Sequence, residues 1–456
     1  MTYPSDLFAG EAFGVLGLGK AGLAALRALT AMGATVTGWD DREPARAAAA
    51  AEGFPIAEPD MARISALVIS PGIPHLLPKP HPVAARARAA GVPILTDAEL
   101  LYRAVRKAGS KARFAGITGT NGKSTTTALL AHILETAGRP VAAGANLGTA
   151  AISLPLLPDD GVYVLEMSSY MLERIATLRF DVAVMLNLSL DHLDRHGDMA
   201  GYARAKRHIF DRQTAADLAV FGIDDDYARA MAAEFGAGPA RVVTISGHDP
   251  RADVHPLGTK LVDAAGEIID LATTKALPGA HNAQNAAAAA ALAAHLGVPR
   301  AAIAEGMRSY PGLPHRIETI CTVAGVTFVN DSKGTNADST ERALGCYERV
   351  IWIAGGMAKA GGAEPLVPWF DRIALALLIG RDAPIFARTL AAHGVPYREV
   401  GTLENAVAEG WQAARAGTAP VVLLSPASAS WDQFTGFEQR GDRFRELALA
   451  IAAEEG

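Results

Sequence analysis

Three α/β domains in series, each a parallel sheet with helices on its faces, are predicted on three observations. Short apolar strands alternate with helical stretches along the whole chain. Two of those strands run straight into glycine turns that open helices, at "GLGKAG" and "GTNGKST". The length, 456 residues, is too great for one compact domain.

The first domain, assigned to residues 1–108, begins with an apolar strand at Phe13–Leu16, a glycine turn and a helical stretch. A second strand, Ala34–Trp39, ends in Asp40 and Asp41, and "ALVISPGIP" and "GVPILTDAELL" continue the alternation. This reads as a Rossmann-like domain. The basic, glycine-containing stretch "RKAGSKARF" is taken as a linker. The second domain, 109–312, opens with "FAGITGTNGKSTTTALLAHIL" and continues through "VYVLEM" and "DVAVMLNL". It is a P-loop ATPase-like α/β domain that closes at "SYPGLPHRIE", where Pro311, Gly312 and Pro314 punctuate the chain. The third, 313–456, carries "VTFVNDSK", "RVIWIAGG", "IALALLIG" and "APVVLLS" and is again Rossmann-like. The three share a layout and no sequence repeat.

Composition excludes several classes. Apolar residues are 50% and charged residues 20%, as in globular proteins with large cores. The formal charge of -6 argues against general affinity for nucleic acid or anionic membranes. Two cysteines, Cys321 and Cys346, suit a reducing compartment rather than a disulfide framework. The N-terminus lacks the pattern of a signal peptide, and the alanine-rich run from Ala286 is too short and too weakly apolar to span a bilayer. A cytoplasmic protein is expected.

The chemistry sits at strand ends. In "GITGTNGKSTTT" the usual phosphate-loop spacing would place a glycine at 117, where Ile117 stands, so the turn is a shorter variant framed by Gly116 and Gly119. Backbone amides there can face phosphate oxygens, Lys123 supplies a mobile charge, and Ser124 can take magnesium. In "GLGKAG", Gly17, Gly19 and Gly22 precede Asp40 by about twenty residues, the dinucleotide fingerprint. The same physics serves NAD or another nucleotide diphosphate, and a turn without ligand is the plain alternative. Glu166 ends an apolar strand, and Asp191, His192, Asp194 and His196 follow another; carboxylates and an imidazole at such strand ends suit magnesium or manganese. For Asp194 and His196 a solvated, helix-capping loop is the preferred reading. Lys206 reads as an ordinary helix lysine. Arg316, Asp331 and Lys333 lie near strand ends of the third domain; a forked contact from Arg316 to a phosphate or carboxylate, with Lys333 as a point charge, competes with surface salt bridges.

Together, "GITGTNGKSTTT", "GANLG", "LEMSSYMLE", "LNLSLDHLDRH", "YARAKRHIF", "LPGAHNAQN", "GLPHRIE", "NDSKGTN" and "SPASASWDQFTGFEQRG" resemble the Mur ligases across essentially the whole chain. The resemblance implies ATP-dependent addition of D-glutamate to UDP-N-acetylmuramoyl-L-alanine, through an acyl phosphate, by a monomer without nucleic-acid or membrane partners. Handedness of the glutamate is left open by the residues themselves. It further implies that Gly17, Gly19, Lys20, Ala21, Asp40, Asp41, Arg42, Gly72 and Asn146 hold the UDP-muropeptide. Gly119, Thr120, Asn121, Gly122, Lys123, Ser124, Thr125, Asn282, Asn285, Arg316 and Asp331 would bind ATP. Two magnesium ions would be held by Ser124, Glu166, His192 and a carbamylated Lys206. Thr335, Lys359, Ser430, Trp431 and Phe437 would receive glutamate, and Lys123, Lys206, His192, Arg316 and Lys333 would serve catalysis. Ala21, Met357–Ala358 and Trp431 depart from the family pattern.

Two readings of other classes compete. An NAD-dependent oxidoreductase would use "GLGKAG" with Asp40 but leave Lys123 and Glu166 without a role. A non-enzymatic nucleotide-binding module would have no need of Lys206.

Overall fold

The structure, a computed structural model, describes residues 1–274, 276–359 and 361–455. It forms two compact units, one made of Met1–Thr274 with Asn282–Tyr310 and the other of the remaining described residues. The first unit contains two parallel sheets and a small antiparallel one, and the second unit a largely parallel sheet.

In the first sheet, β1 (Ala12–Leu16), β2 (Thr35–Trp39), β3 (Ala66–Ile69) and β4 (Ile94–Leu95) lie parallel in the order β2-β1-β3-β4. The second contains β5 (Arg113–Thr118), β6 (Val141–Ala145), β7 (Val162–Glu166), β8 (Val182–Met185), β9 (Leu218–Gly222) and β10 (Arg241–Ile245). Their order is β10-β9-β8-β5-β7-β6, again all parallel. Strands β3, β7, β8 and β9 are buried along their whole length, which is why each is a continuous apolar run rather than an alternating one. An antiparallel sheet of β11 (His255–Leu257), β12 (Lys260–Asp263) and β13 (Gly266–Asp270) follows.

Strand order places the sites. Open α/β sheets bind ligands beyond the carboxyl ends of strands, where the order reverses. In the first sheet that point lies between β1 and β3, so the Gly17 turn and the Ser70–Gly72 loop adjoin. In the second it lies at β5, flanked by β7 and β8, which gathers the ends at Thr118, Glu166 and Met185.

Buried polar groups tie the first two sheets into one unit. The Glu99 carboxylate accepts from the backbone amides of Ala176, Thr177 and Leu178 at 2.9–3.0 Å, and from the Thr177 hydroxyl at 2.6 Å. Asp97 accepts from the Ala151 amide at 2.8 Å. The stretch expected to be a linker is likewise fastened. Arg106 donates to the carbonyls of Ser110 and Ala112 at 2.9 Å, and the buried Ser110 hydroxyl donates to Leu157 O at 2.8 Å. Of its four basic residues, Arg106 is the one occupied in folding the chain back onto itself.

The second unit contains β14 (Glu318–Val323), β15 (Val326–Asn330), β16 (Val350–Gly355), β17 (Met357–Ala358), β18 (Ile373–Ile379), β19 (Tyr397–Gly401), β20 (Val421–Leu424) and β21 (Ser428–Ala429). Its main sheet runs β14-β15-β20-β16-β18-β19, parallel except for the β14–β15 hairpin. Trp352, Phe328, Phe386 and Phe444 are its largest buried apolar side chains. Strands β17 and β21 pair as a separate antiparallel ribbon.

Candidate active site

The phosphate loop leaves β5 and enters the helix Lys123–Thr136 through Gly122, whose left-handed φ of 82° requires glycine. A Cβ there would lie 2.2 Å from Asn285 Oδ1. The loop is preshaped by Asn187: its backbone carbonyl accepts from Thr120 N at 2.8 Å and its side-chain oxygen from Asn121 N at 2.9 Å. Gln284 in turn accepts from the Asn187 amide at 3.0 Å. Lys123 Nζ folds back to Gly119 O at 2.9 Å and Thr120 O at 2.7 Å. Ser124 and half-buried Thr125 follow in the first helical turn. Asn285 and Asn282, both buried on the helix Ala280–His295, bond each other at 3.0 Å, and Thr126 Oγ1 donates to Asn285.

Lys206 overturns the reading of an ordinary helix lysine. On the helix Met199–Arg207, begun by the Asp198 cap, it is 1% exposed. Its Nζ donates to Gly119 O at 2.8 Å and Thr118 Oγ1 at 3.2 Å, and lies 4.8 Å from the Tyr202 ring centroid. Burial, then the repulsion of Lys123, holds its amine well below the usual lysine range. A buried, readily neutral amine can add carbon dioxide, becoming an anionic oxygen ligand.

Glu166, buried at the end of β7, accepts from Asn146 Nδ2 at 2.6 Å through Oε1. Its Oε2 is buried and finds no hydrogen-bond partner among the described residues. That orphaned oxygen fits a cation. Among the described residues no three His, Cys, Asp or Glu side chains cluster as a metal site. Magnesium takes few protein ligands and completes its shell with water and phosphate. His192, half-exposed at φ 52°, accepts or donates through Nδ1 to the Tyr170 hydroxyl at 2.9 Å, and its Nε2 lies 3.4 Å from Asp191. Burial, with Lys206, His196 and Lys123 nearby, lowers its pKa despite Asp191. Asp194 is exposed as expected, but His196 is buried, bonded to Ser169 Oγ at 2.9 Å and paired with Glu173 at 3.1 Å. The solvated reading fails for His196 because its ring packs beside Tyr170 and Tyr202.

In the first sheet, Gly17 has φ 89°, and a Cβ there would meet Ile73 at 2.6 Å. Gly22 permits close strand–helix packing, since its Cβ would lie 1.8 Å from Gly17 O. Gly19 precedes the helix Lys20–Ala31 with open space around it; Lys20 is exposed and Ala21 half-buried. Buried Asp40 turns back to this turn, accepting from Leu18 N at 2.7 Å and Arg42 N at 2.9 Å. Burial opposes its charge, yet these bonds and the Arg42 guanidinium hold it below the usual carboxylate range. Asp41 faces His81 at 3.0 Å, and Gly72 is exposed beyond β3. Asn146 stands apart from this group, at the Glu166 end of the second sheet.

In the second unit, Asp331 is buried at the end of β15, accepting from Ser425 Oγ at 2.6 Å; burial raises it to about 7. Arg316 lies between His315 and Ile317, both at positive φ (63° and 45°), a strained turn for non-glycine residues. Lys333 Nζ sits 5.2 Å from the Phe437 ring centroid, and Thr335 N donates to Lys333 O at 2.8 Å. The β17–β21 ribbon leads to exposed Lys359 at one end and buried Ser430 at the other. Trp431 is 73% exposed. Asn187, Tyr170 and Gln284 went unpredicted; the polar residue directly after "VAVML" was the available signal for Asn187.

Residues 117–293 match the model of the Mur ligase middle domain. The chain is 50% identical over 452 residues to the UDP-N-acetylmuramoylalanine--D-glutamate ligase of Paramagnetospirillum magneticum, covering 98% of both chains. The chain belongs to the Mur ligase family. Another Mur ligase, the UDP-N-acetylmuramoylalanine--D-glutamate ligase of Rhodospirillum rubrum, is 49% identical, with 98% of this chain and 96% of that protein covered. Among solved Mur ligase structures, the UDP-N-acetylmuramate-alanine ligase of Thermotoga maritima shares the fold, with TM-score 0.59, 17% identity, and 97% and 99% of the two chains covered. No helix among the described residues is long and apolar enough to cross a membrane.

Proposed function

We propose that this Mur ligase joins D-glutamate to the L-alanine carboxyl of UDP-N-acetylmuramoyl-L-alanine, using ATP, as a cytoplasmic monomer in peptidoglycan precursor synthesis. The observation that carries the reading is the convergence of Lys123 and Lys206 on Gly119 O, at the strand end of the phosphate loop. Near-full-length identity of about half to enzymes named for this reaction supports the substrates and the D configuration. Residues 1–108 would bind the UDP-muropeptide, 109–312 ATP, and 313–456 the amino acid.

The alanine carboxylate oxygen attacks the γ-phosphorus of ATP, and the bond from that phosphorus to the bridging oxygen of ADP breaks. The glutamate amine then adds to the acyl-phosphate carbon, loses a proton, and inorganic phosphate leaves with its bonding electrons. Phosphoryl transfer rests on positioning and charge, so the loop amides and Lys123 would cradle the phosphates while Asn187 keeps the loop in shape. Ser124, Glu166, His192 and a carbamate on Lys206 would hold two magnesium ions. When bound, these would neutralise charge on the transferring phosphoryl group. Arg316, Asp331 and Lys333 are assigned to ATP, and Thr335, Lys359, Ser430, Trp431 and Phe437 to glutamate.

The test is phosphate release by purified protein with UDP-N-acetylmuramoyl-L-alanine, ATP, magnesium and either D- or L-glutamate. Release is expected only with all components and the D isomer. ATP turnover indifferent to the amino acid would reject the reading.

A further inference from the structure

Arg174 has no assigned role, yet it is 2% exposed and spends its donors in an unusual way. Its four hydrogen bonds go to carbonyl oxygens: Nε to Tyr170 at 2.9 Å, Nη1 to Ile69 and Ser70 at 3.2 Å each, and Nη2 to Pro71 at 3.0 Å. Burial, then repulsion from Arg195, lowers its pKa only to about 10, so it remains a cation at neutral pH. A buried arginine facing three successive carbonyls fixes their direction, because each bond is charge-assisted.

That direction has a consequence at Gly72. In a planar trans peptide the carbonyl and the following N–H point opposite ways. With the Pro71 carbonyl turned onto Arg174, the Gly72 N–H points away from the guanidinium. Among the described residues this N–H donates to no protein acceptor, Gly72 is exposed, and a Cβ at that position would meet nothing within 4 Å. The loop also packs on the glycine turn of the first sheet: Ser70 Oγ donates to Gly17 O at 2.8 Å, and Ile73 fills the space where a Gly17 Cβ would lie.

We propose that Arg174, in the connection between β7 and β8, is a positioning residue that presets the Ser70–Gly72 loop, presenting the Gly72 amide to the nucleoside diphosphate of the acceptor. The inference rests on the first sheet's being the nucleotide-sugar site. Arg174 also fastens that loop to Tyr170, whose hydroxyl bonds His192, so the acceptor's nucleotide end is held in register with the phosphate-loop site.

The experiment is calorimetric titration of the full chain with UDP and, separately, with ADP, for Arg174→Met and Arg174→Lys, together with steady-state kinetics. Arg174→Met should weaken UDP and raise KM for UDP-N-acetylmuramoyl-L-alanine by about tenfold. ADP binding, KM for ATP and kcat should stay within about twofold. Arg174→Lys, keeping the charge without the fork, should fall between. Should the methionine variant fail to fold, the lysine variant carries the same UDP-against-ADP comparison. Unchanged UDP affinity in the variants, or equal loss of UDP and ADP, would overturn the inference. Failure of the unsubstituted protein to bind UDP would instead overturn the site assignment and the inference with it.

Discussion

Two glycine turns in the first unit join a parallel strand to a helix, and they are equipped in opposite ways. The turn after β1 is braced by a carboxylate: Asp40 accepts from Leu18 N and Arg42, while Lys20 stands exposed. The turn after β5 is crowded by amines, with Lys123 and buried Lys206 both donating to Gly119 O. Glycine gives both turns close backbone approach. The charge around them separates their chemistry: the first suits holding a nucleotide and the second suits moving a phosphoryl group.

The strongest way to break this contrast is Lys206→Ala. It should lower kcat for ligation by at least about a thousandfold while leaving UDP affinity unchanged, and added bicarbonate should not restore activity. Unchanged activity would remove the carbamate and make the two turns equivalent. A paired test is next in size. Gly122→Ala would force a left-handed alanine against Asn285 and should reduce kcat/KM for ATP by about a hundredfold. Gly19→Ala, at φ −74° with nothing within 4 Å, should change Tm by no more than about 2 °C. Equal thermal damage at both glycines would contradict the geometry.

The last effect is a pH dependence in the second unit. Burial raises Asp331 from 3.8 to about 7, so between those values the native chain keeps a proton that the unfolded chain has released. The site's contribution to stability therefore falls as pH rises through that window. Asp331→Asn removes the titration, so the variant's Tm relative to the parent should climb between about pH 4 and pH 8. A flat difference would contradict the assigned burial.

Much of this was legible in the sequence because it is local. The strands β1, β5, β7 and β8, the two glycine turns and Glu166 at a strand end follow from apolar runs and from residues that only certain turns tolerate. What escaped depends on packing between elements distant in sequence. Lys206 looks like any helix lysine until its helix is laid against the phosphate loop. His196 seemed solvated until Ser169, Glu173 and two tyrosines enclosed it. In the stretch read as a linker, what escaped is that Arg106 and Ser110 spend their donors on carbonyls, one of them Leu157 O, far along the chain. Asn187 could have been found as the polar residue closing an apolar strand, whereas nothing in the pattern around Arg174 indicates that its partners lie in another sheet.

The central claim is that ATP is used here to activate a carboxylate. Its most direct test is ligation with the alanine carboxylate of UDP-N-acetylmuramoyl-L-alanine labelled with oxygen-18, followed by mass analysis of the released phosphate. An acyl phosphate requires one labelled oxygen to pass from the carboxylate to inorganic phosphate in each turnover. Product formed alongside unlabelled phosphate would contradict the account.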